Sequence, residues 1–335
     1  MPELRKDPIV GRWVIISTER ARRPGNFVEA MDNTSEARDC PFCHDASPDV
    51  YVHKKDSSSN WQARVVKSGT PILKEEGNLQ LRGHGLYDVG NGLGAHEVVI
   101  ESPRHIANMA DMEAGDIQAV FETYRRRIEH HKKNPAFKYV LAYKNHGVAA
   151  GSRKIGHVRS QIMAIPVNPI RVQDKLAGAQ HYFDYHDRCI FCDLIEQEKR
   201  FGQRVVLEND HCIAVTPFAS RFPFEIWILP KRHHHDFAEG VAGMEGALAG
   251  MMGELLRKIK TGLNDPAYNY IIQTAPFLLG KSSNGRDTTI EQDYHWHIEL
   301  IPRLTQVAGF EKGTGFYICS IPPEKTAEFL RGVKI

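Results

Sequence analysis

Apolar residues along this chain fall into two spacings. Short runs rich in Val, Ile and aromatic residues, bounded by Gly, Pro and Asn, predict strands over 13–17, 62–66, 97–101, 139–143, 205–207, 212–215, 224–229, 268–273 and around 316–318. Helical spacing appears at Ile117, Val120, Phe121, Tyr124 and Ile128, within a helix predicted over 111–133. It returns at Leu248, Met251, Met252, Leu255, Leu256 and Ile259, in a helix running on from Gly243. Two further helices are expected, over 169–185 and 323–331. The stretches 44–60 and 83–94, the second rich in glycine without dinucleotide-loop spacing, read as loops.

Two polar rows interrupt this pattern. His157, Arg159 and Gln161 share one face of an extended segment, because side chains alternate in a strand, and Ile162 to Pro166 follow. His295, His297 and Glu299 form a second such row ahead of Leu300, Ile301 and Pro302. The signals around the rows occur twice in the same order. Each half has a Cys-x-Phe-Cys pair, strands, a strand carrying Glu97 or Glu225 that ends in proline and histidine, a helix, a strand and a row. Internal duplication accounts for this, with units over 1–172 and 173–335. Strands outnumber helices, so the expected class is α+β: two units, each a largely antiparallel sheet with a packed helix, joined into one sheet or half-barrel.

Composition narrows the function. A chain of 335 residues with a formal net charge of +2 has no basic excess for nucleic acid. No apolar run is long enough to span a bilayer and no leader pattern opens the chain, so the cytoplasm is the expected compartment. Four of the six cysteines stand in C-x-x-C pairs, which in such a chain point to metal or redox chemistry. Cys212 and Cys319 read as buried fillers.

One C-x-x-C pair alone would serve redox chemistry as well as a metal. Two pairs with the same intervening phenylalanine, each followed by a strand-end histidine and a row, favour zinc in tetrahedral sites. The candidate sets are Cys40, Cys43, His105 and His157, and Cys189, Cys192, His233 and His295. His234 and His235 compete with His233 in the second. Near the N-terminus Arg20, Arg22 and Arg23 precede Pro24 and Gly25, where forked donors can hold phosphate oxygens or simply form a solvated turn.

With both units in view, the chain resembles the galactose-1-phosphate uridylyltransferase family of the histidine-triad superfamily, ADP-glucose phosphorylase-like members included, over nearly its full length. The likeness rests on Arg20-Ala21-Arg22-Arg23-Pro24, Cys40-Pro41-Phe42-Cys43, Gly94-Ala95-His96-Glu97-Val98, Ser102-Pro103-Arg104-His105, Asn145-His146-Gly147, Ser160-Gln161, Phe222-Pro223-Phe224-Glu225-Ile226-Trp227, His295-Trp296-His297 and Gly313-Thr314-Gly315-Phe316. The resemblance implies two fused histidine-triad units in a homodimer, with Arg20 and Arg23 reaching phosphates in a neighbouring subunit's site. It implies nucleotidyl transfer between a nucleotide sugar of UDP-glucose type and a hexose 1-phosphate or phosphate. By the same likeness Asn145, Ser160 and Gln161 meet substrate, Lys312, Gly313, Thr314, Gly315 and Phe316 face the sugar, and zinc fills both sites, with iron an alternative at one.

One departure cuts across these agreements. The family's first-half row is His-Pro-His, with the second histidine as nucleophile, and here that position is Arg159. Guanidinium stays protonated and has no lone pair for phosphorus. The stretch from Asn145 to His157 is also about one residue longer than the family pattern. Two routes remain: transfer through His297, or a zinc protein that binds nucleotide sugars without forming the covalent intermediate.

Overall fold

The computed structural model describes residues 1–18, 36–55, 60–277 and 289–335. In chain order the strands are β1 (Glu3–Lys6), β2 (Trp13–Ile16), β3 (Asp49–Lys54), β4 (Trp61–Lys67), β5 (Arg82–His84), β6 (Tyr87–Val89), β7 (Ala95–Ile100), β8 (Tyr139–His146) and β9 (Arg159–Ile165), then β10 (Val205–Glu208), β11 (Cys212–Val215), β12 (Ile226–Pro230), β13 (Tyr268–Gln273), β14 (His297–Pro302) and β15 (Tyr317–Cys319). The helices are α1 (Ala114–His131), α2 (Ile170–His186), α3 (Ile190–Phe201), α4 (Phe237–Gly240), α5 (Glu245–Leu263), α6 (Ile290–Asp293), α7 (Gly309–Thr314) and α8 (Pro323–Gly332).

Ten strands make one open sheet in the order β10-β11-β12-β14-β13-β8-β9-β7-β4-β3, with antiparallel neighbours throughout. The order is a palindrome. Each half runs strand, strand, strand, helix, strand, strand, and the last strand inserts between the third and fourth. The halves meet where β8 pairs with β13, Asn145 opposite Asn269. The sheet does not close into a barrel, because β10 and β3 lie at opposite ends.

One face of the sheet is covered along its length. Ile117, Val120, Phe121, Tyr124 and Ile128 of α1 and Leu248, Met252, Leu255 and Ile259 of α5 join a single core with Val140, Ala142, Ile162, Ile228, Ile272 and Ile298. The opposite face is treated differently in the two halves. In the second half Trp227, Leu229, Ile213 and Val215 pack under Ala179 of α2 and Phe191 and Ile195 of α3, so β11, β12 and β14 are buried on both sides. That double burial explains the unbroken apolar run of β12. In the first half the alternate positions of β8 and β9 stay half-buried, leaving an open face. Gly178 lets α2 lie close: a Cβ there would fall 1.7 Å from the carbonyl oxygen of Ile9.

Several elements depart from the sequence pattern. The stretch read as a loop over 44–60 holds β3, paired to β4, and the glycine-rich stretch holds the exposed β5–β6 hairpin. The second Cys-x-Phe-Cys pair begins α3, where no helix was expected, and the short α7 precedes the strand expected near 316. The N-terminal β1 pairs with β2, which β15 joins in parallel to form a small second sheet.

Candidate functional site

The two Cys–His sets come together as the spacing suggests. Cys40, Cys43, His105 and His157 present ligand atoms within 4.8 Å of one another, and so do Cys189, Cys192, His233 and His295. In the first, Nδ1 of His105 lies 3.3 Å from Sγ of Cys43, and Nδ1 of His157 lies 3.5 Å from both sulfurs. In the second, Nδ1 of His233 and His295 lie 3.4 and 3.6 Å from Sγ of Cys192. The far nitrogens are pinned by main-chain carbonyls at 2.9 Å: His157 to Ser102, His295 to Pro230 and His233 to Glu291. Each Nε2 donates, so each Nδ1 keeps its lone pair for a cation. The hydrogen bond between the two sulfurs holds the Cys192 thiol well below its ordinary range and pushes Cys189 up. His233, rather than His234 or His235, turns to the sulfurs; Nδ1 of His234 instead accepts from the amide of Asp236. Two thiols and two imidazoles are a donor set for zinc.

The rows lie on one rung of the sheet. Register aligns Val98, Gln161, Tyr143, Ile271, Glu299 and Trp227 across six strands, which places Gln161 and Glu299 about 14 Å apart. Gln161 sits on the open face, its Oε1 accepting from the Tyr143 hydroxyl at 2.9 Å and lying 2.8 Å from Nε2 of His96. Asn145 is on the same face, its Oδ1 accepting from Asn269 at 2.7 Å. Ser160 points the other way, with Oγ 2.6 Å from the Tyr124 hydroxyl among the helices.

Arg159 is turned onto the loop that precedes it. Nη2 donates to Oγ of Ser152 at 2.6 Å and to the carbonyl of Arg153 at 3.2 Å, and Nη1 to the carbonyls of Ile155 and His157 at 3.1 and 3.2 Å. The guanidinium also lies 5.2 Å from the ring of Phe42, inside the first C-x-F-C pair. The loop before His157 thus supplies the acceptors that hold the arginine.

His297 has no exposed surface. It lies between Phe191 and Trp227, with ring centroids 5.1 and 5.2 Å away. Its Nδ1 donates to the carbonyl of His295 at 3.0 Å and its Nε2 accepts from Lys175 at 2.8 Å. Burial, then the charge of Lys175, pushes the imidazole down to about 4, so it is neutral at pH 7. Glu299 faces no bare phosphate position: Lys175 and Arg221 hold its oxygens at 2.5 and 2.7 Å.

Thr314, Gly315 and Phe316 line a cavity of about 530 Å³ bounded by the 7–13 segment, the start of α2 and the centre of the sheet. Lys312 and Gly313 are exposed on the α7 turn beside it. Arg20 and Arg23 lie outside the described residues.

Sequence reasoning missed His96, Tyr143 and Asn269, which hold Gln161 and Asn145, and the charged pair behind the row. Lys144 and Glu101, both fully buried, bond each other, and Lys144 donates to the carbonyl of Arg159 at 3.0 Å. A lysine in phase with the buried Val140 and Ala142 was the available signal.

Two family descriptions match the chain: the galactose-1-phosphate uridyl transferase N-terminal domain over residues 1–214 and the C-terminal domain over residues 175–315. The chain belongs to the galactose-1-phosphate uridylyltransferase family. Members differ in what they are named for. An ADP-glucose phosphorylase of Arabidopsis thaliana is 35% identical over all of this chain and 93% of its own length. A galactose-1-phosphate uridylyltransferase of Thermotoga maritima is 25% identical over all of this chain and 99% of its own. Among solved structures, the Arabidopsis ADP-glucose phosphorylase with bound ADP-glucose superposes with TM-score 0.83 at 34% identity, both chains covered completely. A uridylyltransferase structure superposes at 0.73 with 26% identity, covering 99% of this chain and 98% of its own. The family's fold is therefore the fold of this chain, two like halves sharing one antiparallel sheet. Among the described residues no helix is long and apolar enough to cross a membrane.

Proposed function

We propose that this family member binds a nucleotide sugar, ADP-glucose ahead of UDP-glucose, on the open first-half face, and forms no nucleotidyl–histidine intermediate there. The observation that carries this reading is Arg159, a cation at the nucleophile's position, four of whose five N–H donors are spent on Ser152 and the loop carbonyls. Family catalysis needs a neutral imidazole aimed at the α-phosphorus, and guanidinium supplies no lone pair. The Gln161 and Asn145 amides remain on that face to meet phosphate oxygens. The preference for ADP-glucose leans on the similarity to the Arabidopsis phosphorylase.

In this reading zinc fills both Cys–His sets. The ion of the first would fasten His157, and with it the start of β9, to the Cys40–Cys43 turn; in the second, thiolates favour zinc over iron. Pairing into a homodimer, with Arg20 and Arg23 lent across it, and residence in the cytoplasm belong to the same proposal. So does a domain boundary at 172/173.

A second reading keeps the family's nucleotidyl transfer to a hexose 1-phosphate or phosphate and routes it through His297. Its support is the tautomer: Nδ1–H on the His295 carbonyl leaves Nε2 with the lone pair. Its difficulty is access, because that nitrogen is buried and accepts from Lys175.

Intact mass spectrometry of zinc-loaded protein with ADP-glucose or UDP-glucose separates the two. The first reading expects a raised melting temperature and no nucleotidyl adduct, with an adduct appearing in Arg159→His. An adduct in the parent that His297→Ala abolishes would overturn it.

A further inference from the structure

One group of side chains stands apart from both Cys–His sets. Glu75 on the connector between β4 and β5, Glu97 of β7 and His131 in the last turn of α1 present ligand atoms within 4.8 Å of one another. Glu97 and His131 are buried, and Glu75 is exposed at the mouth. Arg127, one turn earlier on α1, fixes Glu97: Nε donates to Oε2 at 2.9 Å and Nη2 to Oε1. Lys67 of β4, opposite Glu97 in register, is exposed and meets Oε2 of Glu75 at 2.7 Å. Glu76 adjoins on the connector, and the ring of His130 lies 5.3 Å from that of His131.

The imidazole of His131, 1% exposed, has an unmet nitrogen. Its Nε2 lies 3.1 Å from Oε1 of Glu97 without hydrogen-bond geometry, and it has no hydrogen-bond partner among the described residues. Leaving a buried polar atom unmet costs free energy, and a cation shared with the two carboxylates would recover it. The C-terminal end of α1 adds its negative dipole to the same place. Two cationic side chains also face the cluster. Arg127 holds Glu97 from one side, as outer partners do for a ligating carboxylate. Lys67 is free to swing into solvent, which leaves both carboxylates and the helix end facing one guanidinium. Two carboxylates and one imidazole are a borderline donor set, suited to a first-row divalent ion whose shell water completes.

We propose that Glu75, Glu97 and His131 form a further cation site, which takes a first-row divalent ion such as Mn²⁺. The ion would tie the β4–β5 connector to β7 and to the end of α1. That connector reaches the open face, where the amide of Ile72 donates to Nδ1 of His96 at 3.4 Å and Nε2 of His96 lies 2.8 Å from Oε1 of Gln161. The site needs no nucleotide sugar, so it stands or falls apart from the functional reading.

The test titrates full-length, zinc-loaded protein with Mn²⁺ and follows the loss of the free ion's electron paramagnetic resonance signal. Thiolate sets keep zinc in preference to manganese, so the added ion reports on this cluster. Saturable uptake of one Mn²⁺ per chain is expected, with spin-echo modulation from the nitrogen of one imidazole. Glu75→Gln removes the exposed carboxylate and leaves the buried Arg127–Glu97 pair whole. It should weaken Mn²⁺ binding at least about tenfold, the scale on which even an outer partner of a metal is felt, with the melting temperature of the ion-free protein unchanged. His131→Gln should abolish the nitrogen modulation. No saturable uptake, uptake without a nitrogen signal, or unchanged affinity in Glu75→Gln would show that these residues form an ion-pair network only and would overturn the proposal.

Discussion

Lys144 and Glu101 sit where a core would ordinarily take apolar side chains, and their surroundings explain why they are tolerated. Each is the other's counter-ion, Glu101 accepts from the Tyr124 hydroxyl at 3.2 Å, and Tyr124 lies 2.5 Å from the hydroxyl of Tyr270 across the seam between the units. The pair braces the backbone at Arg159 from behind. Removing one partner would strand a buried charge. Lys144→Met should therefore lose about 3–5 kcal/mol of unfolding free energy in urea titration, and adding Glu101→Leu should restore most of it. A double variant no better than the single would show that packing, and not the stranded carboxylate, sets the cost. Arg159 is a different case at the same scale. The row pattern put it on the substrate side with Gln161, and it is half-buried there, but its bonding to Ser152 and the loop carbonyls depended on a loop path that no periodicity encodes.

The Cys-x-Phe-Cys turns do related work in the two halves through different neighbours. Phe42 lies beside Arg159 and Phe191 beside His297, so each phenylalanine touches the residue two places beyond a row histidine. Only the second turn opens a long helix, and α3 with α2 seals the face that the first half leaves open. Zinc in both sets should give two ions per chain by native mass spectrometry, falling to one in Cys43→Ser and one in Cys192→Ser. The second substitution should lower the melting temperature more, because it loosens a layer of the core as well as a ligand. A single ion in the parent protein would show that one set stays empty. The missed α3 has a plain cause: its apolar residues, Ile190, Phe191, Leu194 and Ile195, are few and fall next to a metal motif that explains them without a helix.

Across the whole molecule the units are joined too deeply to be separate. The core runs from α1 through α5, and β8 pairs with β13 at the sheet's centre. A fragment of residues 1–172 would expose the α5-facing side of α1 and the edge of β8. It should lack near-ultraviolet dichroism and a cooperative melt, and regain both when co-expressed with 173–335. A sharp independent transition in the fragment would contradict this. The amino-acid sequence by itself determined the α+β class, the twofold order of signals, both Cys–His sets and the arginine at the centre of the first row, because these rest on residue type and on local spacing of two or 3.6. Tertiary structure alone decided that one half's sheet face is open and the other's sealed, that His297 is closed in beneath Lys175, and that Arg221 and Glu299 share a cavity floor. Those outcomes depend on which distant segment lies against each face, and strand register and helix docking are set by long-range packing that one-dimensional periodicity does not contain.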